Sequence, residues 1–111
     1  MRRSPPFQEV IHFIMPNTSE ERIQTLHPRG KKGVNILKRR YDLIKAFILK
    51  TLADYGEITY KAVNDLAVEQ LQEHFDGSVP WHVVTVKLDL EARGIIERVP
   101  QTSPHKIRLK E

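Results

Sequence analysis

The sequence predicts a mainly helical α+β protein in which three helices precede a small antiparallel β-hairpin. Apolar residues recur at steps of three and four through residues 38–93, with one short interruption near Ile58. After Gly94 the period changes to two, as in strands. The chain has 111 residues, of which 40% are hydrophobic and 29% charged, values typical of one globular domain. We therefore expect an N-terminal arm, residues 1–37, and a domain, residues 38–111.

The arm is predicted to contain one short strand and a basic loop. Residues 9–15 (EVIHFIM) are rich in β-branched and aromatic side chains, and Pro16 closes the run. A brief helical turn is expected over residues 20–22. Residues 27–30 (HPRG) predict a turn, and residues 34–36 predict an extended segment leading into the first helix. The strand would join the sheet of its own chain or pair with a second copy, so a homodimer is expected by analogy.

Three helices follow, and two of them have a capping residue. The first is predicted over residues 38–55. Thr59 is placed to cap a second helix over residues 60–75, and Ser78 a third over residues 79–93. The inward positions of these helices and of the next strand are expected to be buried together: Phe47, Ile48, Leu52, Leu66, Leu71, Val86, Leu90 and Ile96.

The C-terminal hairpin is predicted from strands at residues 95–99 and 105–110, with its tip at 100–104. Alternation in the last strand puts Ile107 and Leu109 on one face. The opposite face carries Lys106, Arg108 and Lys110. Two interpretations of these cations remain open. They contact a phosphate backbone, or they protect an exposed edge strand from pairing with another chain.

The order helix, short strand, helix, helix, hairpin resembles a winged helix-turn-helix domain over about residues 38–110. The most specific part is VKLDLEARGIIER, residues 86–98, which looks like the end of the third helix and the first strand of the wing. The W-x4-V-K-L-D-L-E-A-R-G segment starting at Trp81 is similar to a family of small bacterial proteins of unknown function. This resemblance implies a winged-helix fold and supplies no catalytic residue.

The net charge of +4 is distributed unevenly along the chain. Residues 1–40 contain nine lysines and arginines against three acidic residues, a net charge of +6. Residues 41–111 contain nine against eleven, a net charge of −2. This asymmetry is typical of a protein with a nucleic-acid partner, and a solvated charge run is the alternative.

Several chemical functions are excluded or disfavoured. The absence of cysteine excludes disulfides, thiolate metal sites and cysteine nucleophiles. The five histidines lack metal-ligand spacing and are interpreted as surface residues, so we expect no metal and no cofactor. No nucleophile motif or P-loop is present, and Asp89 and Glu91 are interpreted as solvated. We therefore expect a protein that is not an enzyme, is cytoplasmic and has no membrane span.

The leading functional hypothesis is nucleic-acid binding, with duplex DNA as the expected ligand. The third helix of a winged helix enters the major groove, and the wing and basic arm would contact phosphates. The alternative is a protein-interaction or dimerisation module whose third helix and Trp81 dock a partner. The net charge of zero over residues 78–93 favours this alternative. The candidate DNA-binding residues are Ser78, Trp81, His82, Thr85, Lys87, Arg98, Lys106, Arg108, Lys110, Arg29, Lys31, Lys32, Arg39 and Arg40.

Overall fold

The structure, a computed structural model, describes residues 20–111. The strands are β1 (Arg22–Gln24), β2 (Asn35–Leu37), β3 (Ile58–Thr59), β4 (Ile96–Arg98) and β5 (Lys106–Leu109). The helices are α1 (Lys38–Tyr55), α2 (Tyr60–Leu71) and α3 (Val79–Ala92). The α+β class with three helices and small antiparallel sheets is confirmed. The strand predicted at residues 9–15 lies outside the described residues.

Two antiparallel sheets hold the strands. β1 pairs with β2 in an N-terminal hairpin, residues 22–37, with Ile23 opposite Ile36. The second sheet has the order β3-β5-β4, in which β4 and β5 form a C-terminal hairpin, residues 96–109. Because β5 pairs on both sides, it is the central strand. The interpretation that its cations protect an exposed edge strand from pairing with another chain is therefore wrong.

The helix starts agree with the predicted caps. The Thr59 hydroxyl accepts a hydrogen bond from the Ala62 N–H at 3.1 Å, and the Ser78 hydroxyl accepts from the Trp81 N–H at 3.2 Å. α2 ends at Leu71, four residues earlier than predicted. The spacing of four residues from Leu71 to Phe75 predicts a continuing helix. A turn follows Leu71 instead, and the Phe75 ring still packs against the core.

The start of the described chain differs from the sequence prediction. The helical turn expected over residues 20–22 is wrong, because Arg22 already pairs with Leu37 in the β1–β2 ladder. The hairpin loop, residues 25–34, contains the predicted turn, and the Gly30 N–H donates to the His27 carbonyl at 3.0 Å.

The hairpin loop is closed by a tight contact at Gly33. The Thr25 N–H donates to the Val34 carbonyl at 2.8 Å, and the Val34 N–H donates to the Thr25 hydroxyl at 2.9 Å. A Cβ atom at Gly33 would overlap the Thr25 carbonyl, so only glycine fits there. These contacts therefore hold the two ends of the loop together.

The core lies between the three helices and the β3-β5-β4 sheet. Five of the eight residues predicted to be buried are so: Ile48, Leu52, Val86, Leu90 and Ile96. The other three, Phe47, Leu66 and Leu71, are half-buried and pack against the same cluster. Among residues 20–111, no helix combines the length and apolar character required to cross a membrane.

Candidate nucleic-acid interface

The candidate interface is centred on α3, which is enclosed along most of its circumference. Val83, Val86 and Leu90 face the core and are fully buried. Lys87 and Asp89 are two residues apart, so they lie about 200° apart around the helix axis. They therefore mark opposite flanks of α3, and both side chains are buried.

The flank at Asp89 faces the N-terminal hairpin. Its carboxylate is 0% exposed and accepts hydrogen bonds from the Leu26 N–H at 2.8 Å and from Arg93 Nε at 2.8 Å. It also accepts from the Tyr41 hydroxyl. Burial, reinforced by Asp89, raises the pKa of Tyr41. The interpretation of Asp89 as a solvated residue is wrong, because it joins the hairpin loop, α1 and α3.

The flank at Lys87 faces α2 and the C-terminal hairpin. The Lys87 ammonium lies 3.0 Å from a Glu91 carboxylate oxygen and 5.5 Å from the centroid of the Tyr60 ring. Tyr60 in turn stacks on His105, with ring centroids 5.6 Å apart. Only 8% of the Lys87 side chain and 13% of the Glu91 side chain is exposed. The interpretation of Glu91 as solvated is also wrong, and the Lys87 charge is compensated inside the protein.

His105 adds a pH-dependent group to this flank. Burial, followed by the positive charges of Lys87 and Arg98, lowers the pKa of His105, while Glu91 opposes the shift. Its Nε2 atom is buried and has no hydrogen-bond partner among the described residues. The native protein therefore binds a proton at His105 less readily than the unfolded chain does.

We expect stability to decrease as the pH falls from 7 through and below about 6.5, the ordinary histidine pKa. The contribution of neutral His105 to the free energy of unfolding is fully present above that pH. It is lost as the pH falls through the lowered pKa that His105 has in the native state. The His105→Gln variant should show a weaker decrease in urea unfolding measured at several pH values. The His74→Gln variant, at an exposed histidine, is the control and should follow the wild-type profile. Equal pH profiles for wild type and His105→Gln would contradict the assignment.

The beginning of α3 holds three of the predicted site residues. Ser78 caps the helix and its carbonyl oxygen lies 2.7 Å from Nδ1 of His82. His82 is only 4% exposed and packs edge-on against Phe75, so its interpretation as a surface histidine is wrong. Trp81 is 45% exposed. Within residues 20–111, no three histidine or carboxylate side chains are grouped as metal ligands.

The outward strip of α3 is apolar. A helical period of 3.6 residues places Trp81, Val84 and Leu88 on it, with Thr85 beside them. Thr85 is half-buried against the hairpin loop. Arginine, lysine, asparagine and glutamine are the residues that most often read base edges, and this strip contains none of them.

Three of the predicted cations outside α3 are engaged in ion pairs. Arg39 and Arg40 both bind Asp76, at 2.8 and 3.0 Å. Hydrogen bonds from these two arginines hold the pKa of Asp76 well below its usual range. The guanidinium of Arg108 lies between two carboxylates, at 2.7 Å from Glu97 and 3.1 Å from Glu57.

The other predicted cations form two groups beside α3. In the part of the chain that the structure describes, six have no ion pair: Arg29, Lys31, Lys32, Arg98, Lys106 and Lys110. The first three lie in the hairpin loop, where Lys32 lines a cleft together with Thr85 and Leu88. Arg98 and Lys106 lie at the tip end of the C-terminal hairpin, Arg98 on the Lys87 flank and Lys106 on the face of β5 opposite Ile107. Lys110 is separate, because it follows the far end of β5.

Comparison with known proteins identifies one family. A family model described as a family of unknown function (DUF6958) matches residues 22–107. The match begins with β1 and ends within β5, so it includes the N-terminal hairpin together with the three helices. No curated protein and no solved structure matches the chain. The division of the chain at residue 38 stays a prediction.

Proposed function

The chain belongs to the family of unknown function DUF6958, and we propose that it is a non-enzymatic winged helix-turn-helix module that binds duplex DNA. The order α1, β3, α2, α3, β4, β5 supports this assignment, since it provides three helices followed by a wing. The carrying observation is that the two hairpins beside α3 hold five cations that form no ion pair within residues 20–111. They are Arg29, Lys31, Lys32, Arg98 and Lys106.

The proposed mechanism is charge neutralisation at the phosphate backbone. The hairpin loop, residues 25–34, contains no acidic residue, so its positive charge is not compensated locally. Each cation that neutralises a phosphate releases condensed counterion, which supplies sequence-independent affinity. Because the outward strip of α3 is apolar, base readout contributes little. We therefore propose that this module binds DNA with low sequence selectivity.

The test is to measure binding to a mixed-sequence duplex by fluorescence anisotropy at a series of salt concentrations. The logarithm of affinity should fall linearly with the logarithm of salt concentration, with a slope of about −4 to −5 for five phosphate contacts. Replacing Arg98 and Lys106 together with glutamine should flatten the slope by about two units. The same change is expected when Lys31 and Lys32 are replaced with glutamine.

The control is a double variant of two exposed lysines on other surfaces, Lys50→Gln with Lys61→Gln. Each of these lysines is paired with an aspartate one helical turn later, on α1 and α2 respectively. The control should keep the wild-type slope. Absence of binding at low salt, or a slope unchanged by removing Arg98 and Lys106, would contradict the DNA proposal.

A further inference from the structure

A small apolar cleft separates the hairpin loop from the outward strip of α3. Its volume is about 110 Å³, and its walls include Leu26, Val34, Thr85 and Leu88. Leu26 is 44% exposed and Val34 is 38% exposed. Trp81 lies one helical turn before Thr85, so it extends the same apolar surface. Contacts with DNA phosphates, as proposed above, use none of these apolar side chains.

The cleft is preformed and has a positive rim. The hydrogen bond from the Leu26 N–H to Asp89 attaches the Leu26 side of the loop to α3. The hydrogen bonds between Thr25 and Val34 hold the Val34 side of the loop in place. Lys32 lines the cleft, and Lys31 is next to it in the chain. Neither lysine forms an ion pair within residues 20–111. The surface therefore combines an apolar pocket with uncompensated positive charge.

We propose that this cleft docks an acidic amphipathic segment of a partner protein. An apolar side chain of the partner enters between Leu26, Val34 and Leu88, and its carboxylates lie against Lys31 and Lys32. Charge complementarity argues against a second copy, because a symmetric contact would bring like-charged loops together. Residues 1–19 of the same chain carry two arginines and one glutamate, so they do not supply the missing negative charge.

This docking function goes beyond the DNA proposal and does not depend on it. The two proposals share Lys31 and Lys32, so an acidic segment bound in the cleft excludes DNA from the hairpin loop. They differ at Leu88 and Val34, which only docking uses, and at Arg98 and Lys106, which only DNA uses. Variants at these two pairs of positions separate the two proposals.

The experiment selects ligands for the full chain from a displayed library of random peptides. The enriched peptides should combine aspartate or glutamate with large apolar residues. They should change the fluorescence of Trp81, the only tryptophan of the chain. Leu88→Ser should weaken peptide binding by about tenfold or more, because a buried apolar anchor carries much of the energy of such contacts. Val34→Ser is the second variant, and thermal unfolding verifies that both are folded.

The matched control is Leu43→Ser, at a leucine of α1 that is 44% exposed, and it should bind the peptides as wild type does. Replacing Arg98 and Lys106 with glutamine should leave peptide affinity unchanged, and Leu88→Ser should leave the salt slope for DNA unchanged. The proposal is overturned if no peptide is enriched, if the enriched peptides lack acidic residues, or if folded Leu88→Ser binds them normally. Self-association that Leu88→Ser abolishes would assign the cleft to a second copy and also overturn it.

Discussion

Replacing Asp89 with alanine should lower the free energy of unfolding by about 3–5 kcal/mol, the range for breaking a buried ion pair by removing one partner. The Asp89 carboxylate is 0% exposed and accepts from the Leu26 N–H, the Tyr41 hydroxyl and Arg93 Nε. Alanine removes the acceptor and leaves three donors without their partner. Urea unfolding, analysed by linear extrapolation, measures the loss.

The matched control is Asp65→Ala. Asp65 also pairs with a cation four residues away, Lys61, but both side chains are more than half exposed. Its loss should cost no more than about 0.5 kcal/mol. Hydrogen exchange at the Leu26 amide gives a second readout, because this amide should lose protection in Asp89→Ala before the core amides do. If Asp89→Ala unfolds at the same urea concentration as Asp65→Ala, the role assigned to the carboxylate is wrong.

The helices of the domain could be predicted because their signals are local. Thr59 and Ser78 cap the helices they precede, and each hydrogen bond spans only three residues of sequence. Gly56 and Gly94 follow helix ends with positive φ angles, 81° and 76°, which glycine adopts without strain. The end of α2 was misplaced because apolar spacing alone does not distinguish a last helical turn from a turn that packs on the same core.

The N-terminal hairpin was missed because its determinants are distant in sequence. The ladder joins Arg22 to Leu37 across a loop that depends on Gly33 having no Cβ. Its attachment to the helices uses the hydrogen bond from Leu26 to Asp89, 63 residues away. A three-residue strand has too short a pattern to be separated from coil by periodicity.

The burial of the polar residues of α3 could not be predicted either, because the groups that cover them are distant in sequence. Asp89 immediately precedes Leu90 and lies three residues after Val86, which places it at the border of the buried face. Charge alone suggested solvent exposure, but Tyr41 and the hairpin loop cover this border. Lys87 is covered in the same way from the opposite flank, by Tyr60.

The candidate interface could be predicted only in part. Sequence identifies the cations, whereas their availability depends on acids that the fold brings near. Arg39 and Asp76 are 37 residues apart in sequence, and Arg108 and Glu57 are 51 apart. Long-range pairs of this kind leave no local signal. The two groups that retain uncompensated charge therefore emerge only once the chain is folded.

Replacing Leu90 with alanine should lower the free energy of unfolding by about 2–5 kcal/mol, the range for removing a buried leucine and leaving a cavity. Leu90 is 0% exposed, and its carbonyl accepts from the Ile95 N–H at 2.9 Å, where the chain leaves α3 for β4. The side chain therefore fills the core at the junction of α3 and the C-terminal hairpin. Leu90→Met, which nearly conserves volume, should cost less than about 1.5 kcal/mol. Leu43→Ala, at an exposed leucine, should change stability by about 0.5 kcal/mol at most. Thermal and urea unfolding measure all three, and a Leu90→Ala variant as stable as Leu43→Ala would show that the register of α3 is wrong.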